Sequence, residues 1–207
     1  MSPLALAGLV LDYADAAGVR VAAPQVMKPG SIQPWPKVLV GEAVHVGQDD
    51  DGTWIWSDHT GNTRYGDPER APDPTVKDAL VWMMNKRISR ARSEIEYLVE
   101  PSGTQSFTEA VLAAADRAIY AAQIGARFHA HPHSEGSVRL SVVVDDVVVE
   151  WSRREDRKHG YLAPWLVCDR HGKVLPPSAG HAHSYAFDAI RNAILIVARM
   201  RMEAALP

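Results

Sequence analysis

Five of the nine histidines lie in two short alternating runs in the second half of the chain. In an extended segment, alternate side chains project to the same side of the backbone. Two such pairs of imidazoles can converge on a zinc ion, which needs Zn–N distances of about 2.0–2.1 Å. His129, His131 and His133 form the first run, and His181 and His183 form the second. A site for zinc or a similar divalent metal would use His129, His131, His181 and His183.

The surroundings of these histidines favour a simpler interpretation. The sequence has no pair of cysteines and no His-Glu-x-x-His motif, which often accompany metal-binding histidines. Pro132, Ser134 and Gly136 lie in or just after the first run and are typical of a loop exposed to solvent. We therefore expect no cofactor. A metal-dependent hydrolase that uses the two histidine pairs is kept as an alternative function.

Two charged runs of opposite sign are the next candidates. The densest charged run of the chain, residues 153–160, contains a basic tip, and residues 49–51 form an acidic tip at the corresponding place in the first half. Such runs are most simply solvated hairpin tips. Their opposite signs also predict binding of a protein partner or docking between copies of the chain. The basic tip is Arg153, Arg154, Arg157 and Lys158, and the acidic tip is Asp49, Asp50 and Asp51.

A further set of cations lies on a long helix predicted at the end of the first half. The order helix, three strands, helix is also that of double-stranded-RNA-binding domains. The second helices here do not begin with the clustered lysines that such domains present to phosphates, and the formal net charge is -3. Nucleic-acid binding is therefore a second alternative function. Its residues would be Lys86, Arg87, Arg90 and Arg92.

The elements that carry these residues occur twice along the chain. Residues 4–25 align with residues 111–132 at a constant offset, and further matches follow in the same order towards the C-terminal end. The pairs include Tyr13 with Tyr120, Gly18 with Gly125, Val38 with Val142, Trp54 with Trp165, and Asp58 with Asp169. We interpret the chain as an internal duplication. Residues 1–100 form the first α-β(n)-α repeat and residues 101–207 form the second.

Local signals define the elements of each repeat. Ser2 followed by Pro3 predicts the start of one helix, and the capping-box spacing of Ser106 and Glu109 predicts the start of its counterpart. The predicted ends are Gly18 and Gly125. Alternating apolar runs then predict hairpins with two-residue loops at 41–42 and 145–146, or bulged strands there. Apolar stripes predict closing helices at about 73–98 and 184–204. The predicted fold is α+β, with two related lobes, each an antiparallel sheet of three to five strands flanked by an N-terminal and a C-terminal helix.

Composition narrows the class of protein. The 207 residues have moderate charge, a single cysteine and no apolar run long enough to cross a bilayer. A lone cysteine cannot form an intramolecular disulfide, so we expect a cytoplasmic protein with no membrane partner. The abundance of Ala, Val, Arg and Asp is typical of a bacterial or phage genome.

Features that differ between the halves are the better candidates for function, because shared features are explained by the common fold. We therefore expect a non-catalytic binding or assembly protein of bacterial or phage origin. It would recognise a macromolecular partner, or a second copy in an oligomer, through the basic and acidic tips. The nucleic-acid and hydrolase alternatives stay open at this point.

Overall fold

Two antiparallel sheets with flanking helices make up the described part of the chain, which confirms the predicted α+β class. The computed structural model describes residues 1–27, 37–41, 44–48, 52–58, 63–65, 72–99, 106–130, 138–152, 165–176, 183 and 185–205. The helices are α1 (Pro3–Ala17), α2 (Pro72–Arg90), α3 (Arg92–Val99), α4 (Phe107–Ala122) and α5 (Ala186–Ala205). The strands are β1 (Gln25–Met27), β2 (Lys37–Val40), β3 (Val44–Gln48), β4 (Trp54–Asp58), β5 (Thr63–Tyr65), β6 (His129–Ala130), β7 (Val138–Val144), β8 (Val147–Ser152) and β9 (Trp165–Asp169).

The residues group into two compact units, each with one sheet. Unit 1 consists of Met1–Lys86 and Ala198–Pro207, and unit 2 consists of Arg87–Val197. The end of α5 therefore belongs to the unit of the first sheet, where Arg201 Nη1 donates a hydrogen bond to the carbonyl oxygen of Ala17 at 3.1 Å. These units are defined by packing. The division into two repeats at residue 100 describes a duplication of the sequence, and it stays a prediction.

The first sheet has the strand order β1-β2-β3-β4-β5, with every neighbouring pair antiparallel. Alternate residues of β2 and β3 are fully buried, as period-two strands with one apolar face require. Val40 pairs with Val44, so three residues connect these strands instead of the two that were predicted. Gly41 has a φ of 62°, a left-handed value that glycine adopts without a steric penalty. The buried valines are Val38, Val40, Val44 and Val46.

The second sheet has the order β6-β7-β8-β9, again antiparallel throughout. Val144 pairs with Val147, which confirms the two-residue loop at 145–146. Asp145 has a φ of 49°, as a tight hairpin turn requires at its first central position. At the end of β9, Gly172 has a φ of 80° and its N–H donates a hydrogen bond to the Asp169 carbonyl at 3.0 Å. Asp169 and Gly172 therefore close a turn directly after β9.

The starts of α1 and α4 follow the local sequence signals. The Ser2 hydroxyl accepts a hydrogen bond from the Ala5 N–H, and both halves of the capping box between Ser106 and Glu109 are present. The end of α4 differs from the prediction. Its cap is Gln123, in a left-handed conformation, and the helix does not extend to Gly125. The predicted end at Gly18 is correct for α1.

The C-terminal caps of α1 and α4 show that the sequence alignment of these two helices is shifted by two residues. Gly18 and Gln123 both cap the last helical turn with left-handed backbone, whereas the sequence alignment paired Gly18 with Gly125. Burial agrees with the caps, because Tyr13 is 1% exposed and Tyr120 is 74% exposed. These two tyrosines therefore do not occupy equivalent positions. Alanine-rich helices offer few large side chains, so identical residues in them indicate register poorly.

The long helix predicted up to Leu98 is interrupted at Ala91. Its N–H donates to the carbonyl of Ile88, three residues back, at 3.0 Å, and α3 continues from Arg92. A bond of this kind tightens the turn and ends the regular α-helical pattern. The apolar stripe continues across the break through Val76, Leu80, Met83, Ile88 and Ile95, all buried. Among the described helices, none combines the length and the apolar character needed to traverse a bilayer.

Candidate functional site

The two charged tips fall outside the residues that the structure describes. This applies to Arg153, Arg154, Arg157 and Lys158, and to Asp49, Asp50 and Asp51. Gln48 and Gly52, which flank the acidic tip, are joined by a hydrogen bond of 3.0 Å from Gln48 Nε2 to the Gly52 carbonyl. Partner binding through the tips stays a prediction.

Two of the four candidate metal ligands are described, and they lie at opposite edges of the second sheet. His129 is in the edge strand β6, whereas His183 forms an isolated bridge with Trp165 at the other edge. Four strand spacings separate them, roughly 19 Å, so one ion cannot bind both. His131 and His181 lie outside the described residues. Within the described ranges, no group of three or more His, Cys, Asp or Glu side chains is arranged to hold a metal ion.

His183 has the contacts of a structural histidine. Its backbone exchanges two hydrogen bonds with Trp165, of 2.7 and 3.1 Å. Nδ2 of Asn192 lies 3.0 Å from Nε2 of the ring, and because an amide nitrogen donates, the ring nitrogen accepts. Burial lowers the pKa of His183, and Arg191 lowers it further against the opposing effect of Asp188. Burial, the largest effect, and the hydrogen bond from Asn192 therefore favour a neutral imidazole.

The cations proposed for nucleic-acid binding also have contacts within the protein. The Lys86 ammonium lies 5.1 Å from the centre of the Trp82 ring. Arg87 Nη1 donates to the Ala122 carbonyl at 3.4 Å. Contacts of this type orient a cation along the protein surface.

Arg92 is held by two neighbours in unit 2. Its Nε donates to Glu96 Oε1 at 2.8 Å, and its guanidinium carbon lies 5.2 Å from the centre of the Phe187 ring. The hydrogen bond to Glu96 raises the pKa of Arg92. Arg90, the remaining member of the set, is exposed near the end of α2. Lys86, Arg87 and Arg92 thus make contacts within the fold.

Exposed aromatic side chains are a feature of the described part of unit 2. Among the described residues, the large aromatic rings that are strongly exposed are Tyr97, Tyr120 and Tyr185, and all three belong to unit 2. Tyr97 is 75% exposed on α3, and Tyr120 is 74% exposed on α4. Tyrosine and arginine are enriched among the residues that contribute most to protein interfaces.

An ion pair between α3 and α4 lies between two of these tyrosines. Glu94 of α3 pairs with Arg117 of α4. Tyr97 follows Glu94 by three residues, and Tyr120 follows Arg117 by three, so each tyrosine is on the same helical face as its neighbour in the pair. We call Glu94, Tyr97, Arg117 and Tyr120 the tyrosine face.

The direction of the helices sets the spacing of the tyrosine face. Arg87 precedes Glu94 in the chain, whereas its partner Ala122 follows Arg117. Within unit 2, α4 therefore runs antiparallel to the segment from Arg87 to α3. The two tyrosines are therefore displaced in opposite directions from the ion pair. Along the helix axes their separation is about 9 Å.

The charges of the tyrosine face are balanced. The Arg117 guanidinium carbon lies 5.5 Å from the centre of the Tyr120 ring, which holds the ring beside the ion pair. One carboxylate and one guanidinium lie between two phenol rings. This arrangement offers apolar contact area and hydrogen-bonding groups without a net charge that would attract phosphates.

The sequence alone did not indicate these residues. Tyr120 was paired with Tyr13, which is buried, and this pairing hid its exposure. Tyr97 carried a usable signal, because it lies off the apolar stripe that includes Ile95. An aromatic residue on the polar side of an amphipathic helix is a candidate for binding.

Comparison of the chain with models of protein families, with curated proteins and with solved structures found no match.

Proposed function

We propose that this chain is a non-catalytic binding protein that recognises a protein partner through the tyrosine face of unit 2. The observation that carries the proposal is the exposure of Tyr97 and Tyr120 on either side of the Glu94–Arg117 ion pair. Phenol rings offer a large contact area and lose little conformational entropy on binding, and Tyr and Arg are enriched among the residues that dominate binding energy.

The balance of charge supports a protein partner over a nucleic acid. Binding to phosphates draws its affinity from unpaired Lys and Arg side chains. On the tyrosine face the arginine is paired with a carboxylate, and Arg92 of the alternative set is paired with Glu96. The basic and acidic tips, at residues 153–158 and 49–51, are further proposed contacts for the same class of partner.

A site-specific photo-crosslinking experiment tests the proposal. Tyr97 is replaced by a photoreactive aromatic amino acid in the producing cells, and Tyr185 is replaced in a matched control chain, because it is equally aromatic, exposed and part of unit 2. We expect an adduct of defined mass from position 97 that resists nuclease and contains peptides of a second protein. The same adduct should be much weaker from position 185.

Further variants relate the adduct to the tyrosine face. Tyr120→Ala in the chain labelled at position 97 should reduce the adduct several-fold, since the partner loses the second ring. With the purified partner, the double variant Tyr97→Ala/Tyr120→Ala should weaken binding by about 2 kcal/mol, a factor of roughly 30 in Kd. Equal adducts from positions 97 and 185 would contradict the proposal. An adduct sensitive to nuclease would support the nucleic-acid alternative instead.

A further inference from the structure

The outward side of α1 in unit 1 carries leucines that the fold does not bury. Leu4 is 77% exposed and Leu11 is 45% exposed, and they lie seven residues apart on one helical face. Gly8 lies between them on the same face, and a Cβ built there would meet no atom within 4 Å. The result is an exposed apolar stripe with a shallow centre, which we call the α1 stripe.

The fold does not require an apolar residue at these positions. When α1 and α4 are aligned by their C-terminal caps, Leu4 corresponds to Glu109 and Leu11 corresponds to Asp116. Both acidic residues are exposed. The α1 stripe is therefore specific to unit 1, and an exposed apolar stripe that the scaffold does not need indicates an interaction surface.

The acidic residues of α1 lie at the end of the helix where its dipole disfavours them. Asp12 and Asp15 are exposed near its C-terminal end, where the helix dipole is negative, and the first turn contains no acidic residue. A second copy of α1 that lies antiparallel brings its positive N-terminal end beside these carboxylates. In such a pair, the positive N-terminal end of each α1 lies beside Asp12 and Asp15 of the other copy.

From this complementarity we propose that the chain self-associates through the α1 stripe, with the two copies of α1 antiparallel and crossing at Gly8. Leu4 and Leu11 lie at nearly equal distances on either side of Gly8, so an antiparallel pair places Leu4 of one copy near Leu11 of the other. The absence of a side chain at Gly8 lets the two backbones approach closely. The interface is isologous, as two-fold dimers require.

The association should be weak and reversible. The stripe extends about 10 Å along the helix axis, which is short compared with the interfaces of stable dimers. A concentration series is therefore the appropriate measurement.

The proposed self-association does not depend on the proposed function of unit 2, because the α1 stripe and the tyrosine face share no residue.

Sedimentation velocity of the full chain over a wide concentration range tests the proposal. We expect the wild type to convert from monomer to dimer as its concentration rises. Leu4→Ser/Leu11→Ser should raise the dissociation constant at least 10-fold. Gly8→Leu should do the same, although the open space above Gly8 leaves the monomer unstrained. Met200→Ser is the matched control, because Met200 is an exposed apolar helical residue of unit 1 outside the stripe, and it should change nothing.

Engineered cysteines test the antiparallel arrangement. The natural Cys168 is buried, so it does not compete in mild oxidation. Mixing the variants Leu4→Cys and Leu11→Cys should give mainly the mixed disulfide dimer, and Gly8→Cys should give a disulfide dimer with itself. Circular dichroism checks that each variant is folded.

The proposal fails on several outcomes. A wild type that is monomeric at every concentration excludes it, as does a dimer that persists in both Leu4→Ser/Leu11→Ser and Gly8→Leu. Equal weakening by Met200→Ser also excludes it, because the association is then not specific to the stripe. A preference for disulfides between like positions, 4 with 4 and 11 with 11, excludes the antiparallel pair.

Discussion

Tyr13 Oη donates a hydrogen bond to Asp73 Oδ1 at 2.7 Å, which ties α1 to the first turn of α2 across 60 residues of sequence. Tyr13 is 1% exposed, and the Lys77 ammonium lies 5.0 Å from the centre of its ring. Burial raises the pKa of the Tyr13 phenol, and the hydrogen bond to Asp73 and the charge of this carboxylate raise it further. The contact is therefore a structural link between two helices of unit 1.

Removal of this hydroxyl should destabilise the protein. Tyr13→Phe keeps the buried ring and deletes the hydrogen bond to a charged acceptor, which costs about 1.5–3 kcal/mol. Urea unfolding at neutral pH measures the change in the free energy of unfolding. Tyr120→Phe is the matched control, since that ring is exposed, and it should change stability by less than about 0.5 kcal/mol. Equal effects of the two substitutions would contradict the structural role.

The same hydroxyl should make stability depend on alkaline pH. A free tyrosine loses its proton near pH 10 in the unfolded chain, whereas folded Tyr13 keeps its proton to higher pH. The stabilisation is therefore complete below pH 10 and is lost as the pH rises above it, by up to about 1.4 kcal/mol per pH unit. Urea unfolding between about pH 9 and pH 11 should show a steeper loss for wild type than for Tyr13→Phe. Parallel slopes would show that Tyr13 titrates like an exposed tyrosine.

The amide of Asn192 should hold His183 in its neutral form. Asn192→Ala deletes a donor to Nε2, so the pKa of His183 should rise, and Asn192→Asp should raise it more because a carboxylate favours imidazolium. NMR titration of the histidine ring protons measures this directly. The signals of exposed His129 should be the same in all three proteins. An unchanged His183 titration in both variants would exclude the contact.

The lowered pKa of His183 also predicts a loss of stability in acid. As the pH falls, a histidine in the unfolded chain binds a proton near pH 6.5, whereas folded His183 binds one only at lower pH. The contribution is therefore present above about pH 6.5 and decreases as the pH falls towards the folded pKa. His183→Gln, which cannot be protonated, should show less destabilisation between pH 7 and pH 5 than wild type does. Thermal unfolding across this range checks the difference.

The turn after β9 should depend on the charge of Asp169. Its Oδ1 accepts hydrogen bonds from the N–H groups of His171 and Lys173, each at 2.9 Å, and the bond from Lys173 is the main reason that its pKa is lowered. Asp169→Ala should lower the Tm at neutral pH, and the difference should vanish as the pH falls and wild-type Asp169 is protonated. Arg170→Ala, which removes an exposed ion pair with Asp146, should have little effect. A difference that persists in acid would assign the effect to packing instead of charge.

Contacts between nearby residues could be predicted from the sequence. The cap at Ser2, the capping box of Ser106 and Glu109, and the hairpin loop at 145–146 each depend on groups no more than four residues apart. Such signals need no knowledge of the rest of the chain. The site was harder to predict, because exposure of Tyr97 and Tyr120 depends on which helices pack beside them.

The sequence by itself determined the α+β class, the order of the elements, most helix starts and the apolar alternation of the strands, since these depend on residue types and spacing. Only the tertiary structure decided that Tyr13 is buried and Tyr120 is exposed, that His129 and His183 lie at opposite sheet edges, and that the end of α5 packs in unit 1. Each of these facts depends on contacts between residues far apart in the chain. Residue type and spacing do not specify such contacts, because several packings satisfy the same local pattern.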